Sequence, residues 1–496
     1  MKSKSKILAL LLAVAMGASV FAGCGEKGTD NGGGTTGTTD GGDKKTVEIT
    51  WWQYGTQPKD EAAIAALNKK SAEDIGITVN FMFTGDEEKL KTALSTGADD
   101  DIAFTCSWFA DYFGASQKNQ FLDITDKVKE QTPKLYESMP EYVWEGSKVN
   151  GRVYAVPVYK DTAAIYYYRV NKDYVLDQAG LQSEFDALGN DLSTATPLLK
   201  KIKEYNDAGN AYPDGLTSPI SFDKGGWKGL FNANWDQLSS VLIGVRPDDS
   251  SYTVKSYLDD EDWIADLKTL SAWYQAGYIN QDAPHIDQNP GFRVFDEEQG
   301  YDGAEAEWMT GYDFTIAIKQ RTQPIANGST ITGAMNGIFT NSKHPDEALK
   351  YLEYANTNKE YRNMLAYGVQ GTNWEVNDGV AKMLNTDFSM SPWAQANLFL
   401  LYPIEPASAD MYEKVEAQMR SAETSDLLGF AFDNSSVRNE VGACTTAMQK
   451  YIVELRTGAA KDVDATVAKM REEMNAAGYQ KIIDECQKQV NAFLGK

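Results

Sequence analysis

Apolar positions divide the chain into regions with different periodicities, and each periodicity predicts a different kind of element. Ile7 to Val20 is an apolar run without a charge, residues 25 to 45 hold no apolar side chain, and regular alternation begins at Thr46. From there Val47–Trp52 reads as a strand, residues 60–71 as a helix with Ala63, Ile64, Ala66 and Leu67 on one face, and Ile77–Phe83 as a strand alternating through Val79 and Phe81. Leu90, Ala93 and Leu94 give a second helix over 87–95, Gly97 suits its stop, and Asp101–Thr105 supplies a third strand. This β-α-β-α-β order within some sixty residues predicts an α/β fold with a parallel sheet, in which ligands gather beyond the carboxyl ends of the strands.

The pattern continues less regularly. Asn150-Gly151 marks a hairpin turn between two extended runs, residues 163–170 form another strand broken by Asn171-Lys172-Asp173, and Leu258–Gly277 reads as a helix. Residues 332–339 predict a strand, Pro345–Asn356 a helix, and 436–494 a set of helices whose Val441, Met448, Ile452 and Leu455 read as packing.

The opening run belongs to a different category. Lys2, Lys4 and Lys6 precede it, and Ala22-Gly23-Cys24 closes it with small residues before a cysteine. It is too short for a membrane span and reads as a secretion signal over 1–23. Its end resembles the lipobox of bacterial lipoproteins, with Phe21 where Leu is commoner, which implies cleavage before Cys24 and lipidation of that residue. Residues 24–45 would then be a flexible tether.

Composition narrows the chemistry. A formal charge of −24, more negative once the three leader lysines are gone, argues against nucleic acid and against electrostatic docking on anionic lipid. Any membrane attachment would be through the lipid alone. Only 2 His are present, His285 and His344 lie far apart, and neither sits in a ligand-spaced motif, so neither a metal nor a cofactor is expected. Cys106, Cys444 and Cys486 allow at most one disulfide, with Cys444–Cys486 the conceivable pair and three buried thiols the other outcome. No nucleophile elbow, P-loop or zinc-protease motif occurs, and the acidic runs 99–101 and 259–262 read as solvated helix starts before they read as glycosidase carboxylates.

The motifs Asp101-Ile102-Ala103-Phe104, Phe121-Leu122-Asp123-Ile124, Gly151 to Pro157 and Tyr167 to Asp173 then occur in order. Together with Asn341 to Tyr354, Tyr367 to Trp374 and the tail from Gly429, the chain resembles extracellular solute-binding proteins of ABC importers, in a lipoprotein branch from Gram-positive bacteria. The resemblance implies a two-lobed, type II periplasmic-binding-protein-like fold with a helical C-terminal tail. Lobe 1 would comprise 46–162 and 319–385, and lobe 2 163–318 and 386–496. It also implies a monomer on the outer face of the cytoplasmic membrane that delivers solute to an ABC permease.

Eleven Trp, 26 Tyr and 19 Phe favour a carbohydrate ligand, specifically an oligosaccharide, because sugars offer apolar faces for rings and a rim of hydroxyls for amides and carboxylates. The candidate contacts are Tyr54, Trp108, Asp111, Tyr159, Lys160, Asp161, Trp308, Tyr312, Trp374 and Trp393. Alternatives are a peptide or acidic-sugar ligand in the same fold, or a surface glycosidase or lyase.

Overall fold

The structure is a computed structural model that describes residues 46–163, 165–231, 235–309 and 311–496. The leader, the tether and Cys24 lie outside the described residues. Strand β1 (Val47–Tyr54) leads to α1 (Glu61–Ile75), β2 (Ile77–Thr84), α2 (Glu87–Thr96) and β3 (Ile102–Thr105). Asp60 accepts the Ala63 N–H at the start of α1, and Asp86 accepts from Glu88 and Lys89 at the start of α2. Gly76 and Gly97 end these helices in the left-handed region that a Cβ disfavours.

Later come β4 (Ala155–Pro157), β5 (Ile165–Asn171), β6 (Asp236–Ser239), α3 (Glu261–Gln275), β7 (Phe295–Gly300), β8 (Ile316–Gln320), β9 (Met335–Ile338) and α4 (Pro345–Thr357). The chain ends in α5 (Arg438–Met448), α6 (Ile452–Thr457), α7 (Val463–Ala476) and α8 (Tyr479–Phe493). Helix α3 starts three residues later than the apolar pattern suggests, because Asp260 caps it through the Trp263 N–H. The Asn150-Gly151 turn has both residues at positive φ, joining Lys148–Val149 to Arg152–Val153 as a hairpin.

The first sheet has the order β2-β1-β3-β9-β4. Its first three strands are parallel, as expected, but β9 runs antiparallel to both β3 and β4, so the sheet is mixed. Period-2 alternation sorts side chains to its two faces. Trp51 packs with Ile49, Leu67 and Leu352 on one face, and Trp52 packs with Leu90, Phe104 and Met335 on the other.

A second core gathers Trp227, Trp235, Trp263 and Trp273 with Met470, Ile482 and Val490 of the C-terminal helices. A three-stranded antiparallel sheet, β7-β5-β8, has Ile165–Asn171 as its central strand; Tyr168, Val170 and Phe295 belong to this second core, and Ile165 and Tyr167 pack with Met411 and Val415 in a further cluster. Residues 388–401 differ from the sequence expectation: Phe388, Met390 and Ala396 pack on the Trp51 face, and Ala394, Leu398 and Leu401 on the Trp52 face. The cause is polar. Arg362, fully buried, donates to the carbonyls of Pro392, Ala396 and Asn397 and to Gln395 Oε1, holding the segment against the sheet.

Beside the second core lies a deeply buried ion pair. Arg321 and Glu297 are each about 1% exposed and ion-paired, and Glu297 also accepts the Gly229 N–H at 2.7 Å. Cys106, Cys444 and Cys486 are all free and buried.

Candidate ligand cleft

The carboxyl ends of β1 and β3 carry a cluster of rings. Tyr54 lies 5.5 Å from Trp108, 5.2 Å from Phe109 and 5.4 Å from Trp393, centroid to centroid, and Trp108 and Trp393 are 5.9 Å apart. Trp108 is nonetheless 51% exposed, and its indole N–H is fixed to Gly333 O at 2.9 Å. An exposed indole held on one edge and backed by rings presents a rigid apolar face to solvent.

Trp393 owes its position to buried polar groups. Asn336, on β9, accepts the Trp51 indole N–H at 2.9 Å and donates to Gln395 O at 2.9 Å and Ala394 O at 3.2 Å. Together with Arg362 it pins the loop from below and from the side. Near the same wall, Asn327 caps a short turn by accepting the Thr330 N–H, while the Thr330 hydroxyl donates to Thr162 O.

Facing this wall is a surface from the other core. Phe231, Gln237, Ser239, Leu242, Met448, Gln449, Ile452 and Arg456 line it, with Gln299 at its margin. The cleft between the two surfaces has a volume of about 750 Å³, within the range of roughly 300–1,000 Å³ usual for small-molecule sites. Its polar lining is amides and hydroxyls, its charged members are Lys160 and Arg456, and no carboxylate is among its lining residues. Lys160 is ion-paired with Asp161. Burial holds the Arg456 guanidinium below its ordinary value, with Asp223 acting in the opposite direction.

Of the residues singled out from sequence, the fold brings Trp108, Lys160 and Trp393 together in the cleft wall, with Tyr54 backing the rings and Asp161 holding Lys160. The others have different surroundings. Asp111 accepts the Gly114 N–H as the cap of a short helix. Tyr159 is about 1% exposed and donates to Glu416 at 3.0 Å. Trp308 and Phe292 sandwich the Arg169 guanidinium at 4.7 Å each, while Arg169 makes a two-pronged bond to Asp296. Tyr312 packs on Phe292 and Phe314. Trp374 is about 2% exposed, with its indole N–H spent on Gly368 O at 3.0 Å.

Sequence reasoning missed the whole facing wall. Phe231, Gln237, Gln449 and Arg456 carry no motif, and they meet only because segments more than two hundred residues apart fold onto one core. Met448 and Ile452, expected as packing, do pack in that core and also reach the cleft.

Comparison with known proteins agrees with this architecture. The model of the family described as "Bacterial extracellular solute-binding protein" matches residues 54–362, and a second model, described as a domain of unknown function, matches 426–495. A protein of Streptococcus pneumoniae serotype 4 named "Carbohydrate ABC transporter substrate-binding protein" is 28% identical over 483 residues, covering 92% of both chains. The crystal structure of the N-glycan transport solute-binding protein from Streptococcus pneumoniae is 26% identical, covers 90% of this chain and 99% of that one, and superposes with a TM-score of 0.81. The same protein in complex with Man5GlcNAc, again 26% identical and covering 90% of this chain and 98% of that one, superposes with a TM-score of 0.73.

Proposed function

This chain belongs to the bacterial extracellular solute-binding protein family, and from that premise we propose that it captures an oligosaccharide in the cleft and hands it to an ABC permease. The family binds solutes and does not transform them, so the cleft is read as a receptor site and not as an active site. The observation that carries the reading is the pairing of walls: exposed, rigidly backed Trp108 with half-buried Trp393 on one side, amides and hydroxyls on the other. Rings take the apolar face of a sugar, and neutral donors and acceptors take its hydroxyls.

In this reading the two lobes are the bodies that carry the two cleft walls, with 388–401 going with the first and the β7-β5-β8 sheet with the second. A ligand that touches both walls only when they approach would draw them together. Moving such an equilibrium from 1:99 to 99:1 needs about 5.5 kcal/mol of differential affinity. The permease would engage the closed form of a monomer.

Calorimetry and small-angle scattering on the same sample test this. Saturating oligosaccharide should bind and reduce the radius of gyration, and a broad panel of neutral and acidic oligosaccharides giving neither heat nor compaction would refute it. The lipid anchor at Cys24 is a separate part of the proposal: the mature protein should begin at a diacylated Cys24, and an unmodified or different N-terminus by mass spectrometry would remove it.

A further inference from the structure

The C-terminal segment 426–495 lies beyond the residues matched by the solute-binding family model and matches a domain of unknown function, yet it supplies part of the cleft. We propose that this helical module reads the ligand, with Arg456 and Gln449 donating to an exocyclic carbonyl or carboxylate oxygen on the sugar. The inference rests on the carbohydrate reading and assigns the chemistry of one end of the same site.

Helix α6, which carries Arg456, is fixed at close quarters. Gly226, at φ 65°, lies so near that a Cβ there would stand 2.3 Å from Arg456 O, and the Trp227 N–H donates to that oxygen at 3.1 Å. Gly458, just past the helix, lies equally close to Leu270 O of α3. Ser271 then bonds Ala460 O at 2.7 Å. The helix is therefore held at its end by two backbone approaches that only glycine permits.

The Arg456 side chain is fixed as well, because Nε donates to Lys224 O. Its remaining guanidinium N–H groups have no protein acceptor among the described residues, and no carboxylate is ion-paired with it. Gln449, at the turn between α5 and α6, has a side-chain amide with no protein partner among the described residues, and it lines the same wall.

A guanidinium only donates, so its best partner is an oxygen that only accepts, and a planar fork suits a planar carbonyl or carboxylate. Sugar hydroxyls, which both donate and accept, are matched by Gln237, Ser239, Asn327 and Thr330 elsewhere in the cleft. No carboxylate lines the cleft among the described residues, and its two charged members, Lys160 and Arg456, are cationic, which suits an acceptor oxygen. Two sugar classes carry the required oxygen: N-acetylhexosamines, through the amide carbonyl, and uronic acids, through the carboxylate.

Calorimetry with mannotriose, tri-N-acetylchitotriose and trigalacturonate on the mature protein separates these. One of the two exocyclic-acceptor trimers should bind more tightly than mannotriose. Arg456→Gln should weaken that trimer about 10- to 100-fold, and mannotriose by no more than about threefold. If the favoured trimer is trigalacturonate, its affinity should also fall with added salt; if it is the chitotriose, salt should matter little. Gln449→Ala, which removes no protein hydrogen bond, should weaken the same trimer about two- to tenfold and guards against a folding defect in the arginine variant. Equal loss across all three trimers, or none in either variant, would overturn the module's role and leave the oligosaccharide reading standing. No binding of any trimer by the unmutated protein would overturn the module's role, whereas the oligosaccharide reading falls only with the broader panel.

Discussion

Asp236→Asn tests the energetics of the cleft's rear wall most directly. Asp236 begins β6, one residue before Gln237 in the cleft, and is about 6% exposed; the Ser425 hydroxyl donates to its Oδ2. Burial raises its pKa from 3.8 to about 6, with the Ser425 bond acting against that. The folded-state value exceeds the unfolded one, so the folded protein binds the extra proton between about pH 4 and 6, and stability falls as pH rises through that window. A raise of about two units corresponds to about 3 kcal/mol of penalty above pH 6. Asparagine keeps an oxygen for Ser425 and removes the charge, but brings two N–H groups that cost about 1–2 kcal/mol if left unpaired. At pH 7 the variant should therefore be more stable by about 1–2 kcal/mol.

The sharper signature is the pH dependence of the difference between variant and wild type. Asp266, also raised to about 6 by burial, has the same sign and is common to both proteins, so subtraction cancels it. In urea denaturation at pH 4, 5, 6 and 7, followed by tryptophan fluorescence, the stability difference, variant minus wild type, should fall by about 2.4 kcal/mol on going from pH 7 to 4, turning the advantage into a small deficit. A difference that stays constant with pH would show that Asp236 carries no such penalty and would refute the reasoning.

Three other substitutions probe separate links. Glu297→Ala should destabilise by about 3–5 kcal/mol in denaturant titration, because it strands the Arg321 charge in the core, whereas replacing both by Met should cost far less. Asn336→Ala removes the acceptor for Trp51 and two donors to the 394–395 carbonyls; a loss of about 2–3 kcal/mol is expected, with weaker oligosaccharide binding as the Trp393 loop loosens. Trp108→Ala should leave the denaturation midpoint nearly unchanged, since half the side chain is already in water, while lowering oligosaccharide affinity at least tenfold by calorimetry.

The parts legible from sequence were those with local causes. Gly97 stops the second helix and Val47–Trp52 forms a strand as read from sequence, and Asp60, Asp86 and Gly76 punctuate the same helices by short-range rules. Trp108 was legible too, because strand ends in α/β sheets are where sites gather. What was not legible depends on distant partners. The reversal of β9, the capture of 388–401 by Arg362 and the Arg456 wall each join segments whose own patterns are silent about one another. Trp308 shows the opposite error: an aromatic near the expected crossing looked like a sugar platform and instead stacks on Arg169, because a buried guanidinium competes for the same ring face.

The placement of β9 has a consequence in time. It sits between β3 and β4, yet it comes from residues 335–338, while its neighbours end at Thr105 and Pro157. An emerging chain therefore has three parallel strands and a detached fourth, with a gap that stays open until more than two thirds of the polypeptide is available. Contacts of such wide sequence separation form slowly, because loop closure must precede any reward. If the opening segment acts as the export signal proposed for it, that delay would be useful: a first lobe that cannot lock before its missing strand arrives would favour threading across a membrane ahead of folding.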